Sequence, residues 1–146
     1  MNELARVNAW LYDTLAGDAA LLALLDGDTS RIVADVAGSK VPRPFVVYAV
    51  QALELDPRSS AGRIMVVARY TIKAVAEARS YAPVTALADR IDALLEGARG
   101  PVGDGSEVHV LEVTRDRAVQ YAEAGQDGRQ YRHLGGLYRI VAQAVE

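Results

Sequence analysis

The sequence contains no cysteine. A disulfide framework, a thiolate zinc site and a cysteine nucleophile are therefore excluded together. It also lacks any apolar run of about eighteen residues, the length needed for a membrane-crossing helix. The N-terminus does not show the basic-then-apolar order of a secretion signal, because Glu3 and Arg6 interrupt it early. These absences point to a protein made and kept in a cytosol, without a membrane. Lysine is nearly missing as well: Lys40 and Lys73 are the only two. Almost every positive charge is thus an arginine, the cation suited to bidentate and stacked contacts. The basic excess of a duplex-binding surface is absent too, since the net charge is −3 and the pI near 5.4, and no specific nucleic-acid binding is expected.

What is present suits one ordinary domain. A chain of 146 residues falls within the size range of single cores. Its apolar fraction of 51% with 24% charged residues is that of a folded protein rather than a disordered one. Residues 1–146 are therefore read as a single α+β domain.

Periodicity supplies the elements. Leu4, Val7, Trp10, Leu11 and Leu15 recur at helical spacing, with Asn2 placed to cap and Gly17 to stop. Asp18 can cap a second short turn carrying Leu21, Leu22, Leu24 and Leu25. Arg31 to Val36 reads as a short strand, and Phe45 to Leu55 as a strand covered on both faces near the centre of a sheet. After a turn-forming stretch at 56–62, the set Ile64, Val66, Ala68, Tyr70, Ile72 and Ala74 alternates with a set that becomes polar midway, predicting a long antiparallel partner. Val84, Leu87, Ala88, Ile91, Leu94 and Leu95 form the apolar stripe of a helix over 81–96, with Ser80 as cap and Gly97 as stop. Val108 to Thr114 is a further strand, 115–128 a charged connection, and 129–145 a last strand in which Gly135-Gly136 suggests a bulge or sharp bend. The expected architecture is a mixed, mainly antiparallel sheet of four to five strands, with an N-terminal helix and a second amphipathic helix packed on it.

None of the chemistry-bearing residues assembles into a catalytic pattern. The glycine-rich stretch Gly97 to Gly105 lacks the Gly-Lys-Ser/Thr ending of a phosphate loop and follows a helix rather than a strand. His109 and His133, the only histidines, have no metal-ligand spacing, so His109 reads as a strand residue and His133 as a surface or interface residue. Ser59, Ser60 and Ser106 lie outside any nucleophile motif. Asp89 and Asp92, one helical turn apart, read as a solvated face. No catalytic residue, cofactor or metal is expected, and the chain reads as a non-enzyme. By contrast Tyr121, Arg129, Tyr131, Arg132, His133 and Tyr138 gather aromatic and guanidinium groups in one polar stretch. Tyrosine and arginine are over-represented where protein-binding energy concentrates. With Arg58, Arg63, Arg115 and Arg117 from the neighbouring loops and strands, this group gives the candidate protein-interface residues.

Three stretches taken together resemble the tail terminator or tail completion proteins of long-tailed bacteriophages and related prophages. They are Pro44-Phe-Val-Val-Tyr48, the strand-then-helix run from Val67 to Val75 and Leu87 to Leu95, and the ending from Gly128 to Ile140. The resemblance implies a small α/β fold that forms a ring, commonly of six subunits, on the finished tail tube. Such a ring stops tube growth and presents a docking surface to the head connector. The implied partners are other copies of the chain, the major tail tube protein and a head completion or connector protein. The implied location is the tail–neck junction of the virion, with the host cytoplasm during assembly. The loops at 56–62 and 115–135 would then be contact elements. A head–tail connector or other minor neck protein is the alternative reading, and a small enzyme or ligand-binding domain a third.

Overall fold

The computed structural model describes residues 2–55, 63–102 and 108–145. Three helices pack on one face of a single six-stranded sheet. Helix α1 spans Asn2–Ala16 and α2 Ala19–Ala23, followed by a 3-10 turn at Thr29–Arg31. Strand β1 is Ile32–Ala34, β2 Phe45–Leu55 and β3 Arg63–Glu77, and α3 is Ala82–Leu95. Strand β4 is the two-residue Gly100–Pro101, β5 Val108–Ala124 and β6 Gln130–Val145. The sheet order is β1-β2-β3-β6-β5-β4. All neighbours are antiparallel except β1 and β2, which run parallel.

Several elements lie where periodicity places them, because one face of each is buried. In α3, Val84, Leu87, Ile91 and Leu95 are buried, while Thr85, Ala86, Asp89 and Ala93 are exposed. In α1, Val7, Leu11 and Leu15 fill the same role. Asp18 caps α2, its side chain accepting from the Leu21 amide at 2.8 Å, and it also receives two hydrogen bonds from the Arg90 guanidinium at 2.8 and 2.7 Å. That pair ties α2 to α3 and holds the Asp18 carboxyl below its usual range, the Arg90 hydrogen bond being the main cause.

The structure differs from expectation at five places. Six strands are present rather than four to five, because the two-residue β4, which carries no sequence signal, adds to the five expected segments at the edge beside β5. Strand β2 is not central: β3 and β6 are, and β2 is buried at Phe45–Tyr48 but open toward Leu55. Tyr81, not Ser80, occupies the N-cap of α3, with proline in the first turn satisfying the geometry that a side-chain cap would otherwise provide. The stretch 115–124 continues β5, so it is strand where a loop was expected. Its side chains are mostly exposed on both faces, so apolar alternation never develops. Finally, Gly135-Gly136 is no bulge in β6, whose register with β3 runs unbroken from Arg63↔Val145 to Glu77↔Tyr131. A Cβ at Gly135 would stand 2.1 Å from the Ile72 carbonyl oxygen, and one at Gly136 would stand 2.7 Å from the Arg115 side chain. Close approach of the β3 backbone requires glycine at 135, whereas at 136 the nearest neighbour is the movable Arg115 side chain. The register shifts fall instead in β2, between Val50 and Ala52, and in β5, at 110–112 and 115–117.

At the centre of the sheet, Tyr70 of β3 pairs with Tyr138 of β6. Both are buried, and each hydroxyl donates to a helix: Tyr70 to Asn8 Oδ1 of α1, and Tyr138 to Asp92 Oδ1 of α3 at 2.9 Å. Burial pushes both phenols well above their ordinary range, so they act only as hydrogen-bonded donors. Around them Ile72, Ile140, Val113 and Leu87 complete the core.

Removing core volume at Ile91 by Ile91→Ala is expected to cost about 2–5 kcal/mol of unfolding free energy. Tyr138→Phe, which removes only a hydroxyl, is expected to cost about 1–2 kcal/mol. Denaturant titration of the two variants, with unchanged m-values, checks both.

Candidate protein interaction surface

The helices cover one face only. On the other, β2 contributes Phe45, Val47 and Ala49, β3 contributes Thr71, Lys73 and Val75, and β5 and β6 contribute Val119, Tyr121, Glu123 and His133. The segment Asp35–Ala37 after β1 closes one side, and the resulting groove has a volume of about 590 Å³. A small apolar cluster of Phe45, Val47 and Val75 underlies it, with Val33, Ala37 and Val41 packed alongside.

His133 lines this face but is buried, 7% exposed, so of its two expected places, surface or interface, the first does not hold. The antiparallel register puts Tyr121 directly opposite His133, and the two rings stack at 4.2 Å with 12° between their planes. Tyr121 is thus the lid and His133 the floor. The His133 Nε2 atom lies 2.6 Å from Glu123 Oε1. A carboxylate can only accept, so Nε2 carries the proton, and Nδ1 is left buried with no partner among the described residues. Burial pushes the His133 imidazolium below its ordinary value; Glu123 opposes that shift, while Lys73 and Arg43 reinforce it. Lys73 in turn donates to the Tyr121 hydroxyl and lies 4.8 Å from the centre of its ring.

Tyr138, expected with this group, lies instead in the core beneath α3, 1% exposed; most of the remaining candidates divide into two groups. Arg129, Tyr131 and Arg132 flank the β5–β6 turn at one end of the sheet. Arg132 donates to the Arg79 carbonyl at 2.9 Å and stands over the Tyr81 ring at 5.6 Å. Arg43, from the proline-rich connection before β2, stacks on Tyr131 at 4.4 Å. Arg129 reaches Glu77 at 3.7 Å and Asp127 at 3.4 Å. Arg115 and Arg117 lie apart from these, toward the middle of β5. Arg115 faces α3, where its guanidinium is 3.5 Å from Asp92 and its amide donates to Glu96 at 2.7 Å. Arg117 pairs with Leu137 on the open face. Arg63 opens β3, and Arg58, with the 56–62 turn, lies outside the described residues. Sequence reasoning missed Lys40 and Arg43, from the β1–β2 connection, and Arg79, from the β3–α3 connection, which come to the same end of the sheet as the β5–β6 turn.

Among the described residues no group of three histidines or carboxylates is placed to hold a metal ion. No helix among them is long and apolar enough to cross a membrane. What the open face offers is a broad strand surface, stacked aromatics and arginines, which are the materials of a protein contact. The family model described as "Tail completion protein gp17" matches residues 9–135. The chain belongs to that family. This tail completion protein is a structural component of phage tails. Its fold is also similar to a chain in a solved structure, "Virion of native gene transfer agent (GTA) particle". The match has a TM-score of 0.64 at 18% identity and covers 92% of each chain. No curated protein sequence matches the chain. The family match ends at Gly135, so it takes in Tyr121, Arg129, Tyr131, Arg132 and His133.

The buried imidazole gives this tail completion protein a definite pH dependence. Because the fold lowers the His133 pKa, the unfolded chain binds the extra proton first as pH falls from the ordinary histidine value of 6.5. The stabilising contribution is complete above 6.5 and is lost as pH drops through the folded value. His133→Phe is therefore expected to flatten the decline in Tm between pH 7 and pH 5, as thermal unfolding of the two proteins at both pH values will show.

Proposed function

We propose that this tail completion protein forms a closed ring on the end of the tail tube, most simply a hexamer, that ends tube polymerisation and offers its far side to a head connector. Family membership over residues 9–135 carries this reading. The fold is compatible with it in three respects. A head-to-tail contact between copies that closes on itself terminates by symmetry and leaves two different faces for two partners, so no catalytic group is needed. One whole face of the sheet is free of the described helices, and the groove upon it has an apolar floor. The outer edge of β5 is covered by β4 only at His109 and Val110, so the strand's farther half has backbone groups available for a neighbour. The fold shared with a chain of a virion is consistent with work inside a particle. Assembly would take place in the host cytoplasm, and the protein would act without a cofactor.

Replacing Arg129, Tyr131 and Arg132 together by alanine is expected to weaken assembly while leaving the isolated domain folded, because all three lie at the rim rather than in the core. Light scattering of the purified chain and negative-stain imaging on tail tubes measure the assembly, and circular dichroism measures the fold. A native chain that remains monomeric at high concentration and leaves no ring on tubes overturns the proposal.

A further inference from the structure

The cations of the described chain are unevenly served by carboxylates. Arg31, Arg69, Arg90, Arg115, Arg129 and Arg139 each have an ion-pair partner. Lys40, Arg43, Lys73, Arg79 and Arg132 have none among the described residues. All five gather at one end of the sheet. Lys40 and Arg43 share a cleft with Glu77 and Pro83, and Arg79 shares the adjoining one with Glu77 and Arg129. Arg132 binds the Arg79 carbonyl, and Lys73 leads into the open face. The other described cations without a carboxylate, Arg6, Arg99 and Arg117, are scattered over α1, the connection after α3, and β5.

Three of the five are held on aromatic rings rather than by opposite charges: Arg43 on Tyr131, Arg132 on Tyr81 and Lys73 on Tyr121. A ring face fixes the position of a guanidinium while leaving most of its N–H donors unused. The result is a set of ordered donors waiting for acceptors. The end is also electrostatically distinct. Lys40, Arg43, Lys73, Arg79, Arg129 and Arg132 against Asp35, Glu77, Glu123 and Asp127 give it +2, whereas the chain as a whole carries −3, which leaves −5 on the remainder.

We propose that this basic end of the sheet is the docking surface for an acidic segment of a partner protein in the particle, with side-chain carboxylates seated on Lys40, Arg43, Arg79 and Arg132. Carboxylates match the bidentate geometry of guanidinium groups. A nucleic-acid backbone fits less well, because it is anionic at every step, whereas a protein segment can set its carboxylates opposite the guanidinium groups and pass Asp35, Glu77, Glu123 and Asp127 with neutral or basic side chains. Stacked tyrosines beside arginines also favour a protein over a phosphate ladder. The inference deepens the tail-cap reading by assigning one of the two partner-facing sides, and it rests on that reading only for the identity of the particle.

The test uses the full chain and its Lys40→Glu/Arg79→Glu variant, two exposed sites whose side chains hold no partner among the described residues. The control, Arg6→Glu/Arg99→Glu, makes the same change in net charge elsewhere. Binding of a labelled peptide whose glutamates are interspersed with serine and asparagine, and of a labelled DNA duplex of similar charge, is followed by fluorescence anisotropy at about 0.05 and about 0.2 M salt. The native chain and the control are expected to bind the peptide more tightly than the duplex, with binding weakening as salt rises. The Lys40→Glu/Arg79→Glu variant is expected to lose peptide affinity by about tenfold or more. Tighter binding to the duplex, equal loss in the control, or undiminished binding by the variant overturns the proposal. Light scattering and negative-stain imaging on tail tubes separate the two readings: a native chain that stays monomeric and leaves no ring on tubes, yet shows the expected peptide binding, removes the ring and leaves this surface standing.

Discussion

Two phenols at the centre of the sheet set the arrangement of everything around them. Tyr70 and Tyr138 lie side by side on β3 and β6, both sealed from water. A buried hydroxyl without a partner costs about 1–3 kcal/mol. Each therefore needs an acceptor from the layer above, and the acceptors are Asn8 on α1 and Asp92 on α3. This pair of bonds fixes which helix lies over which strand. Asp92 is further held by Arg115, and α2 is joined to α3 through Asp18 and Arg90. The helical layer is thus clamped to one face by a short polar chain set within an apolar core. The opposite face needs no such clamp, because none of the described helices covers it.

That one-sidedness explains how legible the molecule was in its sequence. Elements that bury one stripe reveal themselves: α1, β2 and α3 lie within a residue or two of their expected limits, and β3 runs three residues past its expected end, because Val7, Leu11 and Leu15, or Val84, Leu87 and Ile91, carry the period in full view. The far half of β5 hid itself for the opposite reason. Arg117, Gln120, Tyr121, Ala122 and Glu123 are all exposed, and a strand with no buried side has no alternation to display. The strand order was not legible either, since the parallel pairing of β1 with β2 and the central place of β6 depend on long-range contacts that local pattern does not encode.

The surface was legible in part. Arg129, Tyr131 and Arg132 stand close together in sequence and announce an interface by their types. Their partners Arg43, Arg79 and Tyr81 come from two other connections and carry no local signal. The burial of His133 was not legible because it depends on one cross-strand neighbour, Tyr121, reached only through the β5–β6 register. The tail family was recognisable because the order of strands and helices, which local periodicity displays, is what carries the resemblance.

In the proposed docking role, cations held ready on a surface serve better than cations neutralised internally. An arginine stacked on tyrosine has already given up much of its rotamer freedom, so less entropy is lost when a partner's carboxylate arrives. Paired instead with an internal carboxylate, it would have to exchange one partner for another at little net gain. The sheet end bearing Arg43 on Tyr131 and Arg132 on Tyr81 therefore combines low binding cost with charges of one predominant sign. The interleaved Glu77 and Asp127 keep that end from becoming a general polyanion trap. Selectivity for a particular acidic surface over passing nucleic acid follows from this mixture, because matching alternating signs demands a shaped partner rather than a uniform one.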